Sequence, residues 1–346
     1  MILGIVLISC ENNELKTIYI KKVEKKFIHI PKEIDFNGLA YSFQPRNKEY
    51  VYFLNNEKCI LNKFDLLSFQ FKKVFQFKKI DIHDFSINDS LKTLSIISND
   101  SLYCFNFYGQ LISKKRIPST KEGYLFFMYR IFSHIQAGEG IYYFNFFANH
   151  ENTYKDSLFF TKNIECCWDV NKNTITQLPV KYPHNYAENC FGYNFMPFRK
   201  KLRDKEHAYS FSYNDSLFIY NIATKVKKAY FLGTRRKKIF QSIKYKDVKQ
   251  YNDKVFDELY FKNPQYLDIR ILSNKKLIYR LFLPNNKKES KKIKKWHFIL
   301  YNTNFEYLGE TPLIDYGLTL FDTKKSIYEF NYLNNKLICT KLLFSF

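Results

Sequence analysis

Cys10 is the residue whose neighbours prescribe a reaction. Met1 to Ser9 (MILGIVLIS) is apolar and ends in Leu7-Ile8-Ser9-Cys10, followed at once by Glu11-Asn12-Asn13-Glu14. Two aliphatic residues, a small residue and a cysteine resemble the bacterial lipobox. Small side chains let the extended segment enter a peptidase site, cleavage falls before Cys10, and the thiol is then acylated. Each buried CH₂ of an acyl chain adds about 0.8 kcal/mol of membrane affinity. The expectation is a signal peptide over 1–9, a tether over 10–16 and a folded domain over 17–346, held in the cell envelope by a lipid on Cys10. The competing reading of the same run is a hydrophobic first strand.

Other reactive side chains form no recognisable constellation. Cys59, Cys104, Cys166, Cys167, Cys190 and Cys339 would see an oxidising compartment, where pairing is permitted. They have no metal-ligand spacing, and the adjacent Cys166 and Cys167 on a strand point to opposite faces. They read as buried thiols, with a bridge from Cys166 or Cys167 to Cys190 left open. The seven histidines, His29, His83, His134, His150, His184, His207 and His297, include no H-E-x-x-H and no pair at ligand spacing. A nucleophile elbow, a phosphate-binding glycine loop and a dinucleotide fingerprint are all missing from the sequence. No metal and no cofactor are expected. The best candidate binding surface is Tyr182 to Lys205 (YPHNYAENCFGYNFMPFRKKLRDK), which sets Tyr186, Tyr193 and Phe195 beside Arg199, Lys200 and Lys201. Aromatic faces beside cations suit sugars, anionic polymers or a partner protein. The alternative is that the aromatics pack the loop down while the charges solvate it.

Those residues need a body to hold them. The chain has 346 residues, 46% hydrophobic and 19% aromatic, which excludes disorder and suffices for a core without disulfide or metal. Its 55 Lys+Arg against 33 Asp+Glu give a net charge of +22, which raises nucleic acid as a partner. The same chain is rich in Lys, Asn, Ile, Phe and Tyr and has only 10 Gly and 9 Pro. That is the profile of A/T-rich codons, so nucleic acid is disfavoured. The basic clusters Lys21–Lys26, Arg199–Arg203, Arg235–Lys238 and Lys287–Lys295 are expected mostly in loops between strands.

A hairpin idiom recurs along the chain. A β-rich run ends in an aromatic followed by Asp or Asn at Phe64-Asp65, Phe105-Asn106, Trp168-Asp169, Tyr220-Asn221, Tyr301-Asn302 and Phe330-Asn331. The aromatic suits a half-buried pleated surface, and Asn or Asp accepts turn dihedrals. Phe-Ser-x-Asn-Asp-Ser-Leu also occurs twice, from Phe85 and from Phe211. Four-stranded propeller blades take about 40–50 residues each. The expected fold is therefore all-β, a six-bladed β-propeller in a single ring, with blades near 39–81, 82–122, 123–182, 190–233, 257–315 and 316–346. The last is too short for four strands, so Thr17 to Ile30 is expected to donate the missing strand and close the ring. An open two-sheet sandwich is the alternative. Between Tyr220 and Tyr301 the interval is longest, and Ile239, Ile243, Val248, Tyr251, Val255 and Leu259 have helical spacing, so a helical insertion is expected near 239–260.

The lipobox-like start, the run YVYFLNN from Tyr50, the F-N-x-x-G-x-L hairpin from Phe105 to Leu111, and the helix followed by Asn263-Pro264-Gln265-Tyr266 and Lys276-Leu277-Ile278-Tyr279-Arg280 together resemble a family. It is the Bacteroidetes lipoproteins classed as a domain of unknown function, with a six-bladed propeller-like fold. The resemblance implies that fold and an envelope location, and it brings no activity and no catalytic residues. The leading expectation is a lipid-anchored binding or scaffold module, with a protein or glycan partner at the propeller face. One alternative is a propeller enzyme acting on polysaccharide, a lyase or hydrolase with acid and base groups at the channel mouth. A second is a binder of an anionic polymer through basic loops.

Overall fold

The computed structural model describes residues 16–28, 39–42, 50–55, 57–82, 84–98, 100–118, 123–126, 136–138, 140–148, 155–192, 197–203, 205–272, 276–284, 295–315, 319–322, 326–333 and 336–345. These residues form six antiparallel sheets of four or five strands and one two-stranded ladder. Blade 1 comprises Leu39–Ser42, Tyr50–Asn55, Ile60–Asp65 and Gln70–Gln76. Blade 2 comprises Asp84–Asn88, Thr93–Ser98, Ser101–Asn106 and Leu111–Arg116. Blade 3 comprises Gly123–Phe126, Ile141–Ala148, Asn163–Asp169 and Thr174–Lys181, with Gln136–Gly138 also paired to the second of these. Blade 4 comprises Phe198–Arg203, Glu206–Ser210, Ser216–Asn221 and Lys227–Phe231. Blade 5 comprises Gln265–Leu272, Leu277–Leu283, Lys295–Asn302 and Tyr307–Glu310, with Ile314–Asp315 beside the third. Each blade falls inside the limits expected from the hairpin marks, and the fold is the expected six-bladed propeller.

Blade 6 takes three strands from the C-terminus, Thr319–Asp322, Ile327–Leu333 and Lys336–Ser345. Its fourth is Tyr19–Ile28, antiparallel to the last strand from Tyr19 opposite Ser345 to Ile28 opposite Leu337. The N-terminal strand thus closes the ring and covers an edge that would otherwise be open. Apolar clusters fill the seams between blades: Leu54, Leu61, Phe85 and Leu94 between blades 1 and 2, Leu281, Phe298, Leu320 and Leu342 between blades 5 and 6, and Val51, Phe64, Phe330 and Cys339 between blades 6 and 1. Burial falls off outward, so every residue of Leu111–Arg116 is exposed.

Five of the six aromatic–Asx marks close the third strand of a blade. Asp65 Oδ1 accepts from the amides of Leu67 and Ser68, Asn106 from Tyr108 and Gln110, Asp169 from Asn171 and Lys172, Asn221 from Ala223 and Thr224, and Asn302 from Asn304 and Glu306, all at 2.8–3.0 Å. Each of these turns ends in a left-handed residue, Phe69, Gly109, Asn173, Lys225 or Phe305. The preceding aromatics, Phe64 to Tyr301, are buried. The sixth mark differs, because Phe330-Asn331 lies within the second strand of blade 6. That blade takes its fourth strand from the other end of the chain and so has no third-to-fourth hairpin.

The connections from second to third strand, and from one blade to the next, leave from one end of the ring, where helical segments gather. These are a 3₁₀ turn at Ser157–Thr161, helix α1 at His184–Glu188, a 3₁₀ turn at Tyr245–Gln250 and helix α2 at Asp253–Lys262. They form a cap on blades 3 to 5, held by the Tyr245 hydroxyl donating to Tyr186 O at 3.0 Å and by Lys155 Nζ on Asp253 at 2.8 Å. The expected insertion near 239–260 is thus corrected to a later start. Ile239 is exposed, and Ile243 pairs with Cys190 in the two-stranded ladder. The apparent helical period from Ile239 spans two unrelated structures, and the true helix buries Phe256 and Leu259. α1 was not expected, since five residues are too few to show a period. The bridge to Cys190 is not formed: Cys59, Cys104, Cys166, Cys167, Cys190 and Cys339 all carry unbridged thiols, outside any disulfide.

Candidate functional site

The stretch singled out for binding lands at the seam between blades 3 and 4, but largely inside it. Tyr186 is part of the cap core, its ring packed at a tilt against those of Phe160, Tyr182, Phe191 and Phe211. Its hydroxyl accepts from the Tyr213 amide at 3.0 Å. Arg199 is buried on the innermost strand of blade 4, Lys200 is half-buried and Lys201 is exposed. Tyr193, Phe195 and Cys10 lie outside the described residues. The structure therefore brings Arg199, Lys200 and Lys201 onto one strand and puts Tyr186 in the packing beneath the cap.

Arg199 faces blade 3. One guanidinium nitrogen bonds Glu165 Oε1 in an ion pair with both side chains buried, and Nη2 donates to Tyr143 O at 3.1 Å. Period-2 pleating explains who shares the site. On blade 4, Arg199 is opposite Tyr209, Lys201 opposite His207, and His207 opposite Tyr220, so these five share a face. On blade 3, Asn145 is opposite Glu165 and Tyr143 opposite Cys167, giving the facing set. His207 lies edge-on to Tyr143, ring centroids 4.5 Å apart. Burial, with the positive charges of Arg199 and Lys201, lowers the His207 pKa to about 3, so the ring is neutral at ordinary pH. Burial likewise raises the Tyr209 and Tyr143 phenols and the Cys167 thiol above their usual ranges. Cys167 is thereby a poor nucleophile.

Two further buried ions sit on the cap side of blade 5 and are structural. Arg280 stacks 3.8 Å from the Tyr266 ring centroid and donates to Ser210 Oγ and to the carbonyls of Phe211, Asn214, Asp215 and Leu232 at 2.8–3.1 Å. It pins one turn of blade 4 to blade 5. Glu310, fully buried, accepts from Thr234 Oγ1, the Arg235 amide and Arg236 Nε. Lys238 pairs with Asp215 at 2.8 Å, while Arg235 lies over the rings of Phe231 and Tyr307. Three cations of the Arg235–Lys238 cluster are thus engaged inside the molecule.

The expectation that the basic clusters lie in loops needs correction, because two of the four are on strands. Lys21–Lys26 lies on the closing strand and Arg199–Arg203 on the innermost strand of blade 4. Among the described residues no group of three or more His, Cys, Asp or Glu could hold a metal ion, and no helix is long and apolar enough to cross a membrane.

The repeated Asn-Asp-Ser-Leu carries a role that sequence reading missed. Asp89 accepts from the hydroxyls of Tyr50 and Tyr52 of blade 1 at 2.7 and 2.8 Å, and Asp215 accepts from Tyr266 of blade 5 at 2.5 Å. Both aspartates join neighbouring blades, although one leaves from a first-to-second turn and the other from a second-to-third turn. The recurrence itself was the available signal.

Sheet order, ring closure and the seam geometry define the class: a six-bladed β-propeller closed by its N-terminal strand. No protein-family model matches the chain, and no curated protein matches it in sequence. Among solved structures it is similar to a member of the duf4221 family from Bacteroides vulgatus, with a TM-score of 0.78 at 16% identity, covering 96% of this chain and 99% of that one. Weaker likenesses are to a streptogramin B lyase, TM-score 0.41 at 12% identity over 95% and 98% of the two chains, and to BamB from Moraxella catarrhalis, TM-score 0.39 at 6% identity over 95% and 100%. The first likeness shows the fold, which is the one implied by the resemblance to Bacteroidetes lipoproteins. The other two carry no weight.

Proposed function

We propose that this protein is a lipid-anchored, extracytoplasmic β-propeller that acts as a binding or scaffold module. The observation that carries the reading is where the chain enters the ring. Ile18 N donates to Glu310 O and Glu310 N to Lys16 O, both at 2.8 Å, immediately before the closing strand. A tether over 10–16 would therefore leave from the seam between blades 5 and 6, spanning at most about 25 Å. Mass spectrometry of the membrane fraction tests the anchor: the N-terminal peptide is expected to begin at an acylated Cys10, and an unmodified Cys10 with its leader retained would sink it.

The partner-binding face is assigned to the part of the Tyr182–Lys205 stretch that reaches solvent among the described residues, with Lys201 exposed and Lys200 half-buried. Tyr186 and Arg199 support it from below. A glycan array probed with the full chain is expected to show binding that a Lys200→Ala/Lys201→Ala variant weakens without a change in Tm; equal binding by that variant would move the site elsewhere. The buried state of Glu165, His207 and Tyr209 favours binding over the polysaccharide-enzyme alternative, because a polymer has no access to acid and base groups closed off from solvent.

A further inference from the structure

The seam between blades 3 and 4 contains polar atoms that the protein does not satisfy. Among the described residues, Glu165 Oε2, both ring nitrogens of His207 and the hydroxyls of Tyr209 and Tyr220 have no hydrogen-bonding partner. Their residues are at most 1% exposed, so bulk water does not reach them. Leaving even one such group unpaired costs about 1–3 kcal/mol, and five in one seam is far outside what native interiors tolerate. Several tyrosines in other seams are paired directly: Tyr50 and Tyr52 with Asp89, Tyr142 with Ser95 at 3.0 Å, Tyr301 with Gly233 O at 3.0 Å.

We infer that this seam encloses a cluster of ordered water molecules bridging Glu165, His207, Tyr209 and Tyr220. Strand register puts Tyr209, His207 and Tyr220 on the one face of blade 4 that meets Glu165 and Cys167 of blade 3. The unmet groups are of both kinds. Two phenols and one imidazole N–H need acceptors, while Glu165 Oε2 and the other imidazole nitrogen need donors. A cation there would meet Arg199 and Lys201, and an anion would meet the Glu165 carboxylate. Water is neutral, supplies both donor and acceptor, and fits a site of its own size when it has two to four polar partners. The neutral state of His207 agrees with a guest that brings no charge. Blades 3 and 4 are then joined near the channel by one ion pair and internal solvent, beside an apolar cluster.

The sign of a conservative substitution tests this. A phenol bridged by water loses a hydrogen bond when replaced by Phe, whereas a dry, unpaired phenol is relieved by the same change. Tyr209→Phe and Tyr220→Phe, made separately in the full chain, are each expected to lower Tm, as Tyr52→Phe must at a directly paired site. A Tm that is unchanged or raised in both variants would overturn the water cluster. A high-resolution crystal structure supplies the second measurement. Discrete solvent peaks about 2.6–3.2 Å from two or more of the named atoms are expected. An empty seam, or continuous density for a larger organic guest, would refute it.

Discussion

Arg199 looked in the sequence like a solvated cation in a basic loop, and it turns out to be half of a buried ion pair. Removing one partner of such a pair leaves the other charge stranded, so Arg199→Ala is expected to cost about 3–5 kcal/mol in urea denaturation, whereas Glu165→Leu combined with Arg199→Met stays near the parent stability or exceeds it. If the single substitution cost less than about 1 kcal/mol, the pair would be exposed in solution. His207 adds a pH dependence. Its pKa is lowered to about 3 when folded, mainly by burial, against an ordinary 6.5. As pH falls below about 6.5 the unfolded chain takes up a proton that the folded chain refuses, so stability drops by up to about 1.4 kcal/mol per pH unit until about pH 3. Unfolding measured from pH 8 to 4 is expected to show this slope, and His207→Phe to flatten it. None of this was legible from Pro197-Phe198-Arg199-Lys200-Lys201, because a run of cations does not reveal which one alternation turns inward.

At the scale of single elements the sequence was more informative. An aromatic followed by Asp or Asn marked the third-to-fourth hairpin in five blades because that turn needs a buried ring and a side-chain acceptor at adjacent positions, a purely local requirement. Asn302→Ala and Asp65→Ala are each expected to lower stability by about 1 kcal/mol. Gly109→Ala should do more damage: its φ is +80°, and a Cβ there would lie 2.5 Å from Gln76 O. Thermal melts of these three variants, ranked against a Leu67→Ala control in a solvated turn position, check both statements. The motifs behind the family resemblance are of the same kind. Tyr50 and Tyr52 bind Asp89, Phe105 to Leu111 is an Asx turn, the Asn263 side chain holds Gln241 through its amide and carbonyl, and Tyr266 and Arg280 lock blade 5 to blade 4. They are the places where the fold admits few residue types, which explains why they carry structure and name no ligand. The helical insertion was misplaced at its start because Ile239 and Ile243 match a helical period by coincidence.

Ring closure is the property of the whole molecule. A chain beginning at Lys16 retains the closing strand and is expected to keep the parent Tm. One beginning at Pro31 leaves Lys336–Ser345 as an open edge, and size-exclusion chromatography is expected to show association or aggregation with a lowered Tm; a monomer of unchanged Tm would mean that the strand does not hold the ring. The sequence by itself determined the number of blades, their limits and the donor of the last strand, since each depends on local turn chemistry and on the count of strands left over at the C-terminus. Tertiary structure alone decided which charges are buried, which aromatics form the cap, and that the seam between blades 3 and 4 is polar. Those outcomes depend on which faces of two separately folded sheets come to oppose each other. Glu165 and Arg199, on different blades, acquire their meaning only when the ring is closed.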